Sequence, residues 1–359
     1  MWLTKVGVTV RSTPKLRRTR ARPPCSDLHP ALPGHCRPGS GIGALPNAGL
    51  RGFVPGMEMP ADMPAHGVME AMEPGLRRII APNPSPMTYW GTNTFVLGEG
   101  DVTVVDPGPD HAAHLEAILG GLAPGERVAR ILVTHSHVDH SPLARGLSRA
   151  TGAPVIAFGT SLAGRSQVMA DLVAQGMTSG GEGVDADFVP DEEMADGDRL
   201  DIGGGLTVEA IWTPGHFSNH LSFAVGDIIL VGDHVMAWAS SLVSPPDGDL
   251  TAFMASCERL LARDARIHYP AHGPAIDDPK ARLRWLIEHR KGREASILAQ
   301  LATAPATPEA LTRAIYTDTP PALLPAAERN VFAHLIDLWT RQKVTATPTL
   351  SPGAMFTLT

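Results

Sequence analysis

Cysteine is scarce in this chain of 359 residues. Cys25, Cys36 and Cys257 stand far apart and form no Cys-x-x-Cys pair. Neither a disulfide framework nor a thiolate zinc site is expected, and the pattern fits a reducing compartment. Long apolar runs are also missing. None approaches the ~18 residues of a membrane-spanning helix, so no membrane partner is expected. Acids are nearly absent from the first 56 residues, where nine Lys and Arg face one carboxylate, Asp27. That arm carries about +8; the whole chain is −7, which leaves about −15 on residues 57–359. A body so acidic does not draw polyanions by its overall field, and any nucleic-acid contact needs a local basic patch.

Residues 1–75 lack both helical and strand periodicity and are rich in Pro, Gly and Arg, a composition expected to be disordered. Three readings compete. The favoured one places a true start at Met57, Met59 or Met63, because the low-complexity composition stops where pattern begins. The others are a basic targeting segment of mitochondrial type and an arm that touches acidic partners. The stretch has no continuous apolar segment of the secretory kind. A cytoplasmic location follows, with mitochondrial-type targeting by the arm as its alternative.

Pattern begins at TNTFVLGEGDVTVVDPG. Two β-rich runs, 94–97 and 102–105, flank a Gly-Glu-Gly-Asp hairpin signal. HAAHLEAILGGL has helical spacing, and ARILVT reads as a strand. APVIAF, LTVEAIWT, LSFAVG, DIILVG and RIHYPAHG supply further strands. Strands alternating with helices and hairpins predict a mixed α/β sandwich. In residues 160–200, SLAGRSQVMADLVAQGM predicts one amphipathic helix. An acidic, glycine-containing loop follows, either a solvated surface insertion or a lid beside the active site. From about residue 280 the chain turns helical, and three helices and a short hairpin predict a small winged-helix-like appendage. The domains are thus 1–75 (disordered extension), 76–280 (catalytic) and 281–359 (winged-helix-like).

The densest chemistry lies in ILVTHSHVDHSP. His135, His137, Asp139 and His140 crowd the end of a β-branched run. Histidine and carboxylate suit divalent metals, and a buried unpaired carboxylate would cost several kcal/mol in an apolar core. The pattern predicts more ligands at later strand ends. TPGHFSNH offers His216, LVGDH offers Asp233 and HYPAHGP offers His272. Asp106 in VVDPG is a candidate acceptor for a ligating imidazole. His220 is a candidate proton donor to the leaving group or a support for the ligands. Asn93 is expected to bond loop backbone, and Tyr89 and Trp90 either line the mouth or pack in the core. His289, Arg290, Lys291 and Arg293 form the dense basic cluster outside the arm, read either as a solvated helix face or as a phosphate-contacting patch.

The order HxHxDH, PGH, GD and AHG resembles the five ligand-bearing motifs of the metallo-β-lactamase superfamily. NPSPMTYWGTNTFVLG, DPGPD, YPAHGPAI and IEHRKGREASIL, with the helical tail, are similar to its β-lactamase-like protein two subgroup. The likeness runs over roughly residues 82–340, and residues 160–200 are longer than that subgroup's pattern. It implies an αββα metallo-β-lactamase sandwich with a C-terminal winged-helix-like domain. A first metal would take His135, His137 and His216, a second Asp139, His140 and His272, and Asp233 would bridge them. Two Zn²⁺ per chain are implied, with Mn²⁺ or Fe²⁺ as alternatives; His137 in place of a carboxylate speaks for zinc over the di-iron redox branch. The implied chemistry is hydrolysis by a metal-bridging hydroxide, with Asp139 and His220 as catalytic residues. The subgroup implies an endoribonuclease or other phosphodiesterase acting on single-stranded RNA. The alternative is a small thioester, ester or lactone hydrolase of the glyoxalase II or lactonase type.

Overall fold

A computed structural model describes residues 63–178 and 183–359. The expectations for residues 1–62, and for residues 179–182 of the acidic loop, lie outside the described residues.

The first sheet contains β1 (Glu70–Glu73), β2 (Leu76–Ile80), β3 (Asn93–Leu97), β4 (Asp101–Val105), β5 (Arg127–Leu132), β6 (Val155–Ala157) and β7 (Glu192–Glu193), in that spatial order. Strands β1 to β4 pair antiparallel, and β4 to β7 run parallel. Strand β1 falls inside the stretch expected to be disordered. It turns at Gly75 and pairs with β2, but four residues rich in Glu are too short to show a strand period.

The second sheet holds β8 (Arg199–Gly203), β9 (Leu206–Trp212), β10 (Leu221–Val225), β11 (Ile228–Gly232) and β12 (Ile267–Pro270), ordered β12-β11-β10-β9-β8. Only β11 and β12 are parallel. The inward faces of the two sheets bury Phe95, Leu97, Val105, Leu132, Leu221, Phe223, Leu230 and Tyr269 against one another. Helices α1 (Ala112–Gly120) and α2 (Pro142–Thr151) cover the outer face of the first sheet through Ile118, Leu143 and Leu147. Between the sheets in sequence lies α3 (Gln167–Ala174). Helices α4 (Leu250–Leu261) and α5 (Pro279–Leu301) cover the second sheet through Phe253, Leu260, Leu283 and Leu286. The result is the expected αββα layering.

Helix α5 continues into the C-terminal unit with α6 (Pro308–Ile315), α7 (Leu324–Thr340) and the hairpin β13 (Val344–Thr347) and β14 (Met355–Leu358). Its core joins Ile297, Leu311, Val331, Leu335 and Phe356. Met169 and Leu172 of α3 belong to the same cluster, so the insertion packs on the tail rather than standing in solvent. The helix predicted over 161–177 is shorter, Gln167–Ala174. Two helices escaped the pattern reading. Helix α2 follows the metal-type motif directly, and α4 follows a loop rich in Pro and Gly, although Asp249 accepts the Ala252 N–H as an N-cap.

Candidate metal centre

All seven predicted ligands leave strand ends on one edge of the sandwich. His135, His137, Asp139 and His140 follow β5, His216 lies between β9 and β10, Asp233 follows β11, and His272 follows β12. Glycine is required at two of these exits. A Cβ on Gly215 would stand 2.3 Å from the Phe253 Cα of α4, and one on Gly232 would stand 2.4 Å from His220 Nε2.

The seven form two groups: His135, His137, His216 and Asp233, and Asp139, His140 and His272. Within the first, His137 Nδ1 lies 3.0 Å from His135 Nε2 and 3.1 Å from His216 Nε2. The outer nitrogens fix the tautomers. His216 Nδ1 donates to the Leu242 carbonyl at 2.7 Å. Thr134 Oγ1 gives its proton to Asp106 Oδ2, so His135 Nδ1 donates to Thr134 Oγ1 at 3.0 Å. The inner nitrogens of His135 and His216 therefore both present lone pairs toward His137 Nδ1, a convergence of nitrogen donors that suits a divalent cation.

The second group repeats the logic. His140 Nδ1 donates to Asp106 Oδ2 at 3.0 Å, and His272 Nδ1 donates to the Gly91 carbonyl at 3.1 Å. Their Nε2 atoms are buried without a hydrogen-bond partner, as is Asp233 Oδ1. Asp233 stands 3.5 Å from His140 Nε2, 3.4 Å from His272 Nε2 and 3.7 Å from His216 Nε2, so its carboxylate reaches both groups. Asp139 stands 3.2 Å from His272 Nε2. Three orphaned polar atoms and a nitrogen- and oxygen-rich donor set fit divalent ions.

The electrostatics agree. Burial alone would raise the Asp139 and Asp233 pKa values, but His140 and His272 outweigh it and both carboxyls stay well below the usual carboxylate range. Burial, with His216 beside it, lowers His137 to about 3. His272 is raised to about 10 because Asp233 and Asp139 overcome the opposing effect of burial.

Around this cluster the expected supports fall into place. Asp106 accepts the Thr134 N–H and hydroxyl at 2.7 Å each besides holding His140. Asn93 Nδ2 donates to the carbonyls of Pro270 and Gly273, tying β3 to the His272 turn. His220 is fully buried. Its Nε2 accepts the Asp233 N–H at 3.2 Å, so its Nδ1 carries the proton and donates to Thr213 Oγ1 at 2.8 Å. His234 turns away from the cluster toward Cys257 Sγ. Trp90 is core, whereas Tyr89 stacks on Trp238 at 5.0 Å over Gly273, beside His272.

Sequence reasoning placed Arg290 wrongly. It is 3% exposed, donates to Asn330 Oδ1 and the Ser241 carbonyl, and lies over the Phe253 ring. Its guanidinium holds the loop that carries Leu242 to α7, and it offers nothing to a phosphate. Lys291 pairs with Glu288. The insertion, by contrast, reaches the site. Gly183 accepts the Val138 N–H, Asp185 donates its N–H to Ser136, and the Asp185 carboxylate accepts the Ser141 hydroxyl. Residues 183–185 are thus a wall laid along the ligand loop, a contact that nothing in their own composition announces.

The Metallo-beta-lactamase superfamily profile matches residues 87–272, and that of the Beta-lactamase associated winged helix domain matches residues 307–349. The chain is 29% identical over 275 residues to the Beta-lactamase-like protein 2 homolog of Drosophila melanogaster, covering 73% of this chain and 86% of that one. It is 26% identical over 240 residues to an Atrochrysone carboxyl ACP thioesterase of Aspergillus fumigatus, covering 65% and 67%. In fold it is similar to a Beta-lactamase domain protein from Burkholderia ambifaria, with a TM-score of 0.69, 23% identity and coverage of 83% and 96%. With the ligand order, the layered sheets and the helical tail all in agreement, the chain belongs to the metallo-beta-lactamase superfamily.

Proposed function

We propose that this protein is a binuclear, zinc-dependent hydrolase of a thioester or related activated ester. His135, His137 and His216 would hold one ion, Asp139, His140 and His272 the other, and Asp233 would serve both. Ions held by these residues would supply Lewis acidity, lowering the pKa of a water at the site toward about 7 and drawing charge from the attacked carbonyl. The chain's own residues do the rest. Asp106 and Thr134 orient His140 and His135, the Leu242 and Gly91 carbonyls orient His216 and His272, and Asp233 keeps its angle through His220. In the overall reaction the C–S bond breaks, a C–O bond forms from water, and the thiolate leaves as thiol after taking a proton. His220 acts as a positioning residue, since its Nε2 is committed to the Asp233 amide and its Nδ1 proton to Thr213.

The rim of the site carries this reading. Val138, between two ligands, is 44% exposed, and the Tyr89–Trp238 stack stands beside His272. These surfaces suit an acyl chain or ring, and burial takes Arg290 out of the basic cluster on which a nuclease reading leaned. The relative named as an acyl-carrier thioesterase supports the same choice. Endoribonuclease action is the second reading, favoured by likeness to the Drosophila homologue over 86% of its length.

Release of free thiol from a panel of acyl thioesters, by the zinc-loaded full chain, tests the proposal. Turnover by the wild type that disappears in Asp139→Ala is expected. Cleavage of single-stranded RNA with no thioester turnover would replace the first reading by the second.

A further inference from the structure

Asp247 is a carboxylate that the seven-ligand site does not use. It is 8% exposed, and with Ser244 and Leu242 it lines a space of about 10 Å³ against the ligands His137 and His216. Its loop is fastened to theirs, since the Asp249 N–H donates to the Gly215 carbonyl at 2.8 Å. A carboxylate so placed is itself a good ligand for zinc. Yet its oxygens stand outside both ligand groups.

Arg165 holds it aside. Arg165 Nη2 donates to Asp247 Oδ1 at 2.7 Å, and the pair is largely out of solvent. The insertion aims this guanidinium from both sides. Gly164, at φ +75, lies so close to the His216 loop that a Cβ there would stand 2.5 Å from the Ser218 carbonyl oxygen. Ser166 Oγ donates to Asp249 Oδ2 at 2.7 Å. The other oxygen of the pair, Asp247 Oδ2, is buried and makes no hydrogen bond. A buried carboxylate deprived of its cation is costly and turns to the nearest one. Beside His137 and His216, that cation is the ion they would hold.

A catalytic zinc differs from a structural one in keeping a coordination position open. We propose that Arg165 is a positioning residue that holds Asp247 off the ion of His135, His137 and His216. Asp247 is then a latent further ligand, and the position it would fill stays open to substrate. The insertion of residues 160–200 thereby tunes the metal centre besides walling it. This rests on the two-ion reading of the site.

The test loads the full chain with cobalt(II), whose visible spectrum reports coordination number, and measures ion retention by chelator competition. Arg165→Met should free Asp247 to ligate. Retention of one ion should then rise at least about tenfold, the scale on which neighbouring groups alter metal affinity. The visible bands should weaken as coordination number rises, and thioester turnover should fall. The double variant Arg165→Met, Asp247→Asn should return retention and spectrum toward the wild type. Arg165→Lys, which keeps a cation on Asp247, should keep the wild-type spectrum. Retention that is unchanged or weaker in Arg165→Met would overturn the proposal and leave the pair a structural latch. Asp247→Asn alone should also keep the wild-type spectrum, because Asp247 is held off the ion. A changed spectrum there would overturn the proposal even if Arg165→Met does not fold. A wild type holding fewer than two ions would fail the two-ion reading, and the Arg165→Met spectrum would still decide whether Asp247 reaches the ion that is bound.

Discussion

At Asp106 the backbone sits at φ 49, where residues other than glycine are seldom found. The conformation turns one carboxylate onto the Thr134 N–H, the Thr134 hydroxyl and His140 Nδ1 together. Strain of this kind persists where surrounding bonds over-determine it. Asp106→Ala should keep the fold but weaken retention of metal on the His140 side about 10- to 100-fold, as loss of such supports usually does. Chelator competition followed by elemental analysis checks it; unchanged retention would remove Asp106 from the site.

Arg290 teaches the opposite lesson. In the sequence it sits among His289, Lys291 and Arg293 and reads as one member of a charged patch. Its fate depends on Asn330, 40 residues away, and on the Ser241 carbonyl, neither of which a local window includes. Arg290→Ala should lower unfolding free energy by about 2 kcal/mol, because two buried acceptors lose a charged donor and Phe253 loses its cover. Thermal denaturation measures this, and a loss below about 0.5 kcal/mol would mean the guanidinium is not needed there. The ligand histidines were readable because each sits at a strand exit within a residue or two of a glycine, proline or second ligand. Support of the ligands was one of two readings of His220; the atom it supports, the Asp233 amide at the end of a different strand, was not legible.

At the scale of elements, the strand exits place the chemistry and the helices hold them. Helix α4 presses Phe253 against Gly215, so His216 is aimed by a contact between a loop and a helix that pattern reading did not find. Gly215→Ala would force the Phe253 backbone to move. We expect a loss of about 2 kcal/mol or more in stability and a weaker hold on metal at His216. A denaturant titration and a metal titration of the same variant test both. The layered strands were legible from β-branched runs between turn residues. Strand β1 and the wall 183–185 were not, because short polar segments acquire their pairing from neighbours.

For the whole molecule, burial of neutral histidines links stability to pH. His114 and His268 are each lowered to about 4, chiefly by burial, and His334 lies well below 6.5 for the same reason with Arg290 adding to it. In the unfolded chain these groups titrate near 6.5. Between pH 6.5 and 4 the unfolded state binds more protons, so their contribution is full above about 6.5 and is lost as pH falls. His268→Leu should flatten the fall in Tm of the metal-free protein between pH 6.5 and 4.5. A slope identical to that of the wild type would contradict the assignment.

The same scale joins the tail to the catalytic layers. Asp337 of α7 accepts the Thr251 hydroxyl of α4, and Asn330 accepts the Val243 N–H of the loop that carries Leu242. The C-terminal unit therefore buttresses the His216 side of the site rather than standing apart from it. Equilibrium dialysis of the full chain against zinc, followed by elemental analysis, counts the ions that the seven ligands hold. Two zinc ions per chain are expected in the wild type and one in Asp139→Ala; one ion in the wild type, or the same number in both proteins, would rule out the two-ion site.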